Sequence, residues 1–307
     1  MSWFLTKDAL RTSVYNAAGA GSLLATLAVL GSVPAAAAPV TFSIGGDAST
    51  ASIQATVDAF RAALGDPNNA NNPGPLASGR REINWDGGGS TANSVVGNPF
   101  EGFLNTRGAR FTTPGTGFIQ APPSGGADGG LAAFFANPTY GDTFGVFSEP
   151  RLFTPIDSNI TDARFFIPGT NGGTPATVGG FGAVFTDVDL DDTTKIEFFD
   201  RFGGLLAEEF VPAGTVADES LSFLGVVFDA GEQIFRVRIT TGTDPLASGT
   251  DDNPGAGIDL VVMDDFLYAE PQAIPEPASW TLLAVSTLTL FGLRRGRKRN
   301  REMVTAS

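Results

Sequence analysis

The second half of the chain repeats a short apolar segment, and this repetition limits its possible folds more than any other feature. Segments rich in Phe, Val, Ile and Leu are separated by Gly, Asp and Pro at about the spacing of β-hairpins. These segments are 163–167, 181–187, 195–200, 205–211, 221–229, 233–240 and 259–268. Strands in this number, without helical crossovers, predict a mostly β fold: an antiparallel two-sheet β-sandwich, most simply jelly-roll-like.

Two of these segments also indicate where their strands lie. In 233–240, Val237 and Ile239 alternate with the charged Arg236, which is typical of a strand with one buried face. The segment 259–268 is apolar on both faces as far as its acidic pair, so we expect it to be a central strand.

One short helix is expected near the start of the folded region, after a strand at 40–44. Ser49 or Thr50 would begin the helix and Gly65 would end it. Its apolar residues recur at helical spacing and are expected to pack on a sheet: Ile53, Val57, Phe60 and Leu64.

Phenylalanine recurs between residues 87 and 155, in a stretch otherwise dense in Gly, Pro, Asn and Thr. Short strands joined by long loops fit this composition. We expect the rings to build a core, because the chain has no Cys and therefore no disulfide to stabilise the fold. A surface platform on which sugars stack is the alternative use.

The absence of His and Cys excludes several kinds of chemistry. Ser-His-Asp catalysis, thiolate nucleophiles and the usual zinc sites all need one of these residues. Any catalysis would depend on carboxylates, Tyr, Lys or Arg. We therefore predict that the chain is not an enzyme.

The charge of the central region argues against nucleic acid as a partner. Of the 19 basic and 33 acidic residues, 11 and 30 lie between residues 38 and 273, which gives this region a formal charge of −19. A phosphate backbone would be repelled by such a surface. Hard cations such as Ca²⁺ are better partners, because carboxylate oxygens are their preferred ligands.

The run at 80–87 contains half of a possible cation site. If it is extended, Glu82, Asn84 and Asp86 share one face, and Ile83 and Trp85 share the other. An edge strand whose polar face meets water is the favoured alternative.

Asp264 and Asp265 are the other half. Two adjacent carboxylates in a buried strand need partners, because an isolated buried charge is costly. We expect Arg236 or Arg238 to pair with one of them and Ca²⁺ to bind near the other.

The segment 262–268 resembles the last strand of carbohydrate-binding jelly rolls, several of which hold a structural Ca²⁺ between carboxylates. The resemblance implies that Glu82 or Asp86 meets Asp264 or Asp265 at such an ion.

The acidic segment at 187–192 begins like an EF-hand loop. Asp187, Asp189 and Asp191 occupy positions 1, 3 and 5, but Asp192 replaces the glycine at position 6 and Phe198 the glutamate at position 12. We reject the EF-hand and expect an acidic turn here rather than a bound Ca²⁺.

The segment at 274–301 has three parts in order. They are the motif Pro275, Glu276 and Pro277, an uncharged apolar run at 278–293, and a basic cluster that opens with Arg294 and Arg295. As a helix the run would be about 24 Å long, short of a hydrocarbon core of about 30 Å, so it would need local thinning of the bilayer to span it. The basic cluster is expected on the cytoplasmic side.

This arrangement resembles the PEP-CTERM sorting signal of Gram-negative bacteria. The resemblance implies processing by an exosortase near Pro275–Glu276–Pro277, a transient anchor in the inner membrane through the helix at 278–293, and an association with exopolysaccharide. A plain membrane anchor behind a Pro-rich linker is the alternative.

Residues 1–37 have the pattern of a signal peptide. Lys7 and Arg11 precede an apolar core at 17–33, and the small residues before Ala38 suit cleavage. We expect export through the Sec translocon and cleavage by signal peptidase, with a retained anchor as the alternative. Residues 38–273 would then form the extracytoplasmic domain.

Together these features predict an exported protein of the cell envelope or extracellular matrix, at the outer surface or secreted. Its non-catalytic β-sandwich would bind polysaccharide with Ca²⁺ support. One alternative is a structural surface component without a ligand. The other is a glycoside hydrolase or lyase with two carboxylates, about 5 Å apart for a retaining site or about 6.5–9.5 Å for an inverting one.

Overall fold

The structure is a computed structural model that describes residues 39–229 and 233–274. The signal peptide and the sorting signal lie outside these residues, so they stay predictions, as do the domain boundaries that depend on them. The sorting-signal residues concerned are Pro275, Glu276, Pro277, the apolar run at 278–293, Arg294 and Arg295. Within the described part of the chain, no helix has both the length and the apolar character needed to cross a bilayer.

The described residues form fifteen strands and three α-helices. The strands are β1 (Val40–Gly45), β2 (Arg80–Ile83), β3 (Ser94–Gly97), β4 (Ala109–Thr112), β5 (Gly117–Ala121), β6 (Leu152–Ile156), β7 (Ile160–Phe165), β8 (Ala176–Thr177), β9 (Gly180–Thr186), β10 (Lys195–Phe199), β11 (Leu205–Phe210), β12 (Leu221–Val227), β13 (Arg236–Thr240), β14 (Val262–Ala269) and β15 (Gln272–Ala273). The helices are α1 (Thr50–Leu64), α2 (Gly130–Phe134) and α3 (Tyr140–Thr143), and a 3-10 turn lies at Pro254–Ala256.

Two large antiparallel sheets make up most of the fold. The larger has the order β1-β12-β9-β14-β6-β5-β3, with β2 also paired to β14, and the smaller has the order β11-β10-β13-β7-β4. A short third sheet pairs β15 with β8. The expectation of a mostly β, two-sheet antiparallel architecture is confirmed.

The main core is built by inward-facing side chains of both large sheets. Phe181 and Phe266 come from the larger sheet, and Phe198 and Val237 from the smaller, and all four are fully buried. Six of the nine phenylalanines between residues 87 and 155 are buried, which agrees with their expected use as core residues. They are Phe100, Phe111, Phe118, Phe135, Phe144 and Phe153.

Helix α1 packs on the opposite face of the larger sheet with the four apolar residues expected from the sequence. Phe60 comes so close to the strands that they have glycine beneath it. A Cβ on Gly182 or on Gly225, which pair across β9 and β12, would lie 2.8 or 2.7 Å from the Phe60 ring. The paired glycines therefore let the helix approach the sheet.

All seven strands expected in the second half are present, and β14 is central, as its apolar faces indicated. The sequence predicted one helix within the folded region, however, and the structure adds α2 and α3 there. These two helices have five and four residues, too few for a 3.6-residue period to be recognised.

The run at 80–87 is extended only as far as Ile83, so Glu82, Asn84 and Asp86 do not share one face of a strand. Strand β2 ends at Ile83, and Trp85 has a left-handed backbone with φ of 62°. The Trp85 ring stacks on Phe153 at 3.8 Å, and its Nε1–H donates to the carbonyl oxygen of Asp264 at 2.7 Å. Packing of the indole in the core therefore turns the chain, and it carries Asp86 to a buried position.

Candidate functional site

Asp264 and Asp265 lie in β14 at the point where the partners of this strand change. Met263 pairs with β6, whereas Phe266 pairs with β2. The pairing with β9 also shifts register between Met263 and Phe266, as at a β-bulge. Because a bulge re-aims side chains, two adjacent carboxylates can turn toward one loop instead of opposite faces of the sheet.

We call the group formed by Asp86, Ser148, Asp264 and Asp265 the Ser148 cluster. The Ser148 Oγ lies 2.7 Å from Asp265 Oδ1, and 3.2 Å from both Asp264 Oδ1 and Asp86 Oδ2. The three carboxylate residues are only 5%, 0% and 4% exposed in chain order. One hydroxyl donates one proton, so the cluster also depends on other donors.

Asp264 obtains its other hydrogen bonds from the backbone of one loop. The N–H groups of Phe147 and Ser148 donate to its Oδ2 at 2.7 and 3.2 Å. Burial, and then the charge of Asp265, raise the pKa of Asp264 well above its usual value, and burial raises the pKa of Asp265 to about 6. Without a cation, this pair therefore retains a proton more readily than exposed aspartates do.

Arg61 of α1 connects this cluster with Glu82. Its Nη2 lies 3.1 Å from Glu82 Oε2 and 3.7 Å from Asp265 Oδ2. Arg80 donates through Nε to Glu82 Oε1 at 2.7 Å. Calcium at Glu82 and the three aspartates of the Ser148 cluster stays a prediction, and an ion there would compete with two guanidinium groups for Glu82.

Arg236 and Arg238 have a different partner from the one expected. They lie in β13 of the smaller sheet, whereas the acidic pair lies in β14 of the larger sheet. Both bind Asp162 on the neighbouring strand β7, at 2.7 and 2.8 Å. Burial would raise the pKa of Asp162, but the two guanidinium groups hold it below its usual value. The expectation that either arginine pairs with Asp264 or Asp265 is therefore wrong.

A second acidic group, which we call the Asp187 cluster, consists of Asp187, Asp189 and Asp252. One carboxylate oxygen from each residue lies within 4.8 Å of those of the other two. Asp187 and Asp189 follow β9, and Asp252 lies in the loop before β14. The sequence predicted only an acidic turn at 187–192, and it gave no signal at Asp252.

The carboxylate of Asp187 is fully buried, and neither of its oxygens has a hydrogen-bond partner among the described residues. The Oδ2 atom of Asp189 is likewise buried and has no hydrogen-bond partner among the described residues. Burial, and then the charges of Asp252 and Asp189, raise the pKa of Asp187 to about 10. Burial and the charge of Asp252 raise the pKa of Asp189 to about 7. Like charges in a buried site favour the protonated forms.

Local hydrogen bonds position the two loops that carry this cluster. Asp259 Oδ1 accepts from the N–H of Asp189 at 3.1 Å, and Asp252 Oδ1 accepts from the N–H of Leu260 at 2.7 Å. These bonds hold the backbone of both loops in place without using the Asp187 side chain.

A surface pocket of about 330 Å³ lies near the Ser148 loop. Its lining includes Pro122, Pro123, Phe144, Glu149, Pro150 and Glu219. Glu149 directly follows Ser148, so the pocket and the Ser148 cluster share one loop. Two carboxylates with apolar neighbours at a concave surface can bind the hydroxyl groups of a small polar ligand.

No known family model, curated protein or solved structure matches this chain. Function is therefore inferred from the chemistry of the two clusters and the pocket. Both clusters offer oxygen ligands, and the chain has no His or Cys. Such a ligand set suits a hard cation such as Ca²⁺.

Proposed function

We propose that this chain is an exported, acidic protein of the cell envelope or extracellular matrix, with a non-catalytic β-sandwich of jelly-roll type that binds exopolysaccharide. The Sec translocon and signal peptidase act on the N-terminal segment, and an exosortase acts at Pro275–Glu276–Pro277. Until that step, the helix at 278–293 anchors the protein in the inner membrane, with Arg294 and Arg295 on the cytoplasmic side. Calcium belongs to this proposal as a support of the fold.

The observation that carries the non-catalytic part is the internal position of the Ser148 cluster. Its carboxylates are almost fully buried, and Asp264 accepts hydrogen bonds from the backbone of residues 147 and 148. A general acid or base has to come within hydrogen-bond distance of a substrate. These carboxylates instead fasten the middle of β14 to a neighbouring loop, which is a role within the fold.

The pocket beside the Ser148 loop is the proposed place for a sugar. Phe144 and the prolines around it provide apolar walls, and Glu149 and Glu219 provide acceptors for sugar hydroxyls. Its volume of about 330 Å³ suits a short stretch of a polysaccharide. The acidity of the surrounding region favours a neutral chain, or an anionic chain with cations between the two surfaces.

A carboxylate-based glycoside hydrolase or lyase is the second candidate, because Glu149 and Glu219 line one pocket. Paired carboxylates on either side of a glycosidic bond are the usual machinery for its hydrolysis. A structural surface component would show neither binding nor turnover.

Affinity gel electrophoresis with exopolysaccharide from the producing cells tests these possibilities. We expect the protein to be retarded by the polysaccharide, and the double variant Glu149→Gln/Glu219→Gln to bind roughly tenfold more weakly, because two charged acceptors are lost. Glu208→Gln, at an exposed position on β11, is the matched control and should bind like the original. Repeating the gel with EDTA shows whether binding needs a cation.

The same samples are assayed for new reducing ends. Retardation without cleavage supports the binding protein, and cleavage that the double variant abolishes supports the hydrolase. A protein that is neither retarded nor active contradicts the proposed function and leaves the structural component.

A further inference from the structure

The topology of the larger sheet brings the loops of the Asp187 cluster together. β9 and β14 are neighbours, and Thr186 at the end of β9 pairs with Val262 at the start of β14. Asp187 therefore leaves the sheet beside the point where the chain from Asp252 enters it. This meeting of two loops is set by the fold, and one hydrogen bond from Leu260 holds Asp252 in place.

Asp187 is the residue that an acidic surface turn does not explain. Its side chain is fully buried, and both carboxylate oxygens lack a hydrogen-bond partner among the described residues. Asp264, which is equally buried, receives two backbone N–H groups. A buried carboxylate without donors is strongly unfavourable, so its position needs a compensating partner.

Among the residues that the structure describes, no basic side chain forms an ion pair with Asp187. None of the ion pairs found between described side chains includes a member of the Asp187 cluster. The charges that act most strongly on Asp187 are those of Asp252 and Asp189, followed by Asp218 and Asp259. The electrostatic environment therefore favours a positive ion.

We propose that Asp187, Asp189 and Asp252 bind one Ca²⁺ ion, at a site separate from the Ser148 cluster. All three offer carboxylate oxygen, which Ca²⁺ prefers over nitrogen or sulfur. Their oxygens lie within 4.8 Å of one another, which fits a Ca²⁺ shell, where oxygens on opposite sides of the ion are about 5 Å apart. Mg²⁺ holds its own water more firmly and is rarely bound by protein carboxylates alone, so this ligand set suits it less well.

The ion would fasten the exit of β9 to the entry of β14. The Ser148 cluster ties the middle of the same strand to its own loop, so the two groups would secure β14 at different points. The inference rests on the proposed function only for the role of calcium as a support of the fold. It needs neither the sugar nor the membrane anchor.

Calcium titration of the purified full chain, stripped with EDTA, tests the site. We expect Ca²⁺ to bind with release of protons, because the carboxylates exchange protons for the ion, and to raise the unfolding temperature. Asp187→Asn and Asp252→Asn should each lower the affinity roughly tenfold or more, since fewer ligand charges weaken Ca²⁺ sites. Asp191→Asn, at an exposed position in the same acidic segment, should bind like the original.

A second signature separates an ion ligand from a structural aspartate. In EDTA, Asp187→Asn should be at least as stable as the original chain, because the amide is neutral without taking up a proton and no hydrogen bond of the side chain is lost. An aspartate that stabilises the fold by itself would make this variant less stable. Asp252→Asn keeps an oxygen for the N–H of Leu260 and serves as a second test if Asp187→Asn folds poorly.

Three outcomes would overturn the inference. They are no calorimetric binding of Ca²⁺ by the original chain, undiminished binding by both the Asp187→Asn and Asp252→Asn variants, and loss of binding in Asp264→Asn alone, which would assign the ion to the Ser148 cluster. A failure to bind polysaccharide leaves this titration unchanged, so the two proposals fail independently.

Discussion

In EDTA, the protein is expected to lose stability as the pH rises from about 4 to about 8. Burial raises the pKa of Asp265 to about 6, and burial and Asp265 raise the pKa of Asp264 well above its usual value. A carboxyl group with a raised pKa binds more protons in the folded than in the unfolded protein. Its stabilising effect is complete below the unfolded pKa of about 3.9 and is lost as the pH passes through the folded pKa. For the Asp264–Asp265 pair the loss is on the order of a few kcal/mol of unfolding free energy.

The Asp187 cluster extends this loss to higher pH. The pKa of Asp189 is raised to about 7 and that of Asp187 to about 10, in both cases by burial first and then by neighbouring carboxylates. Calcium should restore stability at about pH 8, because the ion replaces the protons. Asp162 has the opposite effect on stability. Because its pKa is held below its usual value, it stabilises the folded protein, and this contribution is lost only as the pH falls to more acidic values.

Urea unfolding at about pH 4.5, 6 and 8, in EDTA and in CaCl₂, measures this effect. Asp265→Asn should flatten the EDTA profile between about pH 4.5 and 6, whereas the exposed Asp191→Asn should leave it unchanged. An unfolding free energy that rises toward pH 8 in EDTA would contradict this account, in which ionisation of the buried aspartates destabilises the folded protein.

Replacement of Arg81 by leucine is expected to lower the unfolding free energy by about 3–5 kcal/mol. Arg81 is fully buried and forms a bidentate pair with Glu270, with Nε–Oε2 at 2.6 Å and Nη2–Oε1 at 2.8 Å. Its Nη1 also donates to the carbonyl oxygens of Ala70 and Asn72 at 2.7 and 2.8 Å. The leucine variant would leave a buried carboxylate without its counter-charge and the loop at 70–72 without its donor.

The matched control for Arg81→Leu is Lys195→Met. Lys195 pairs with Glu208 at 2.7 Å, but both side chains are partly exposed, at 27% and 36%. Such a surface pair is worth at most about 1 kcal/mol. Chemical denaturation of both variants compares the losses of unfolding free energy. Equal losses would contradict the claim that the buried Arg81 pair contributes more to stability than the surface pair.

The sequence was most informative where a segment carries its own pattern. The seven strands of the second half and helix α1 each have a local period, so packing had only to bury faces that were already apolar. Trp85 is the opposite case. Its alternation with Asn84 and Asp86 is compatible with a continuing strand, but the indole gains more by stacking on Phe153 in the core, and the backbone turns.

The candidate sites were only partly predictable, because some of their residues have a local sequence signal and others meet only through the pairing of distant strands. Asp264 and Asp265 stood out because two adjacent charges in an apolar strand are unusual, and the structure does bring them to Asp86 through Ser148. Asp252 lies in a polar loop, where another aspartate is ordinary. Its proximity to Asp187 arises from the pairing of β9 with β14, which no local pattern indicates.

Fractionation of the producing cells, followed by intact-mass measurement of the native protein, tests the central claim of export most directly. We predict a protein outside the cytoplasm that lacks residues 1–37 and has been cut near Pro275–Glu276–Pro277. The variant with these three residues changed to alanine is expected to stay in the inner membrane with its C-terminal segment attached. A native protein found in the cytosol, with both terminal segments uncut, would contradict the account.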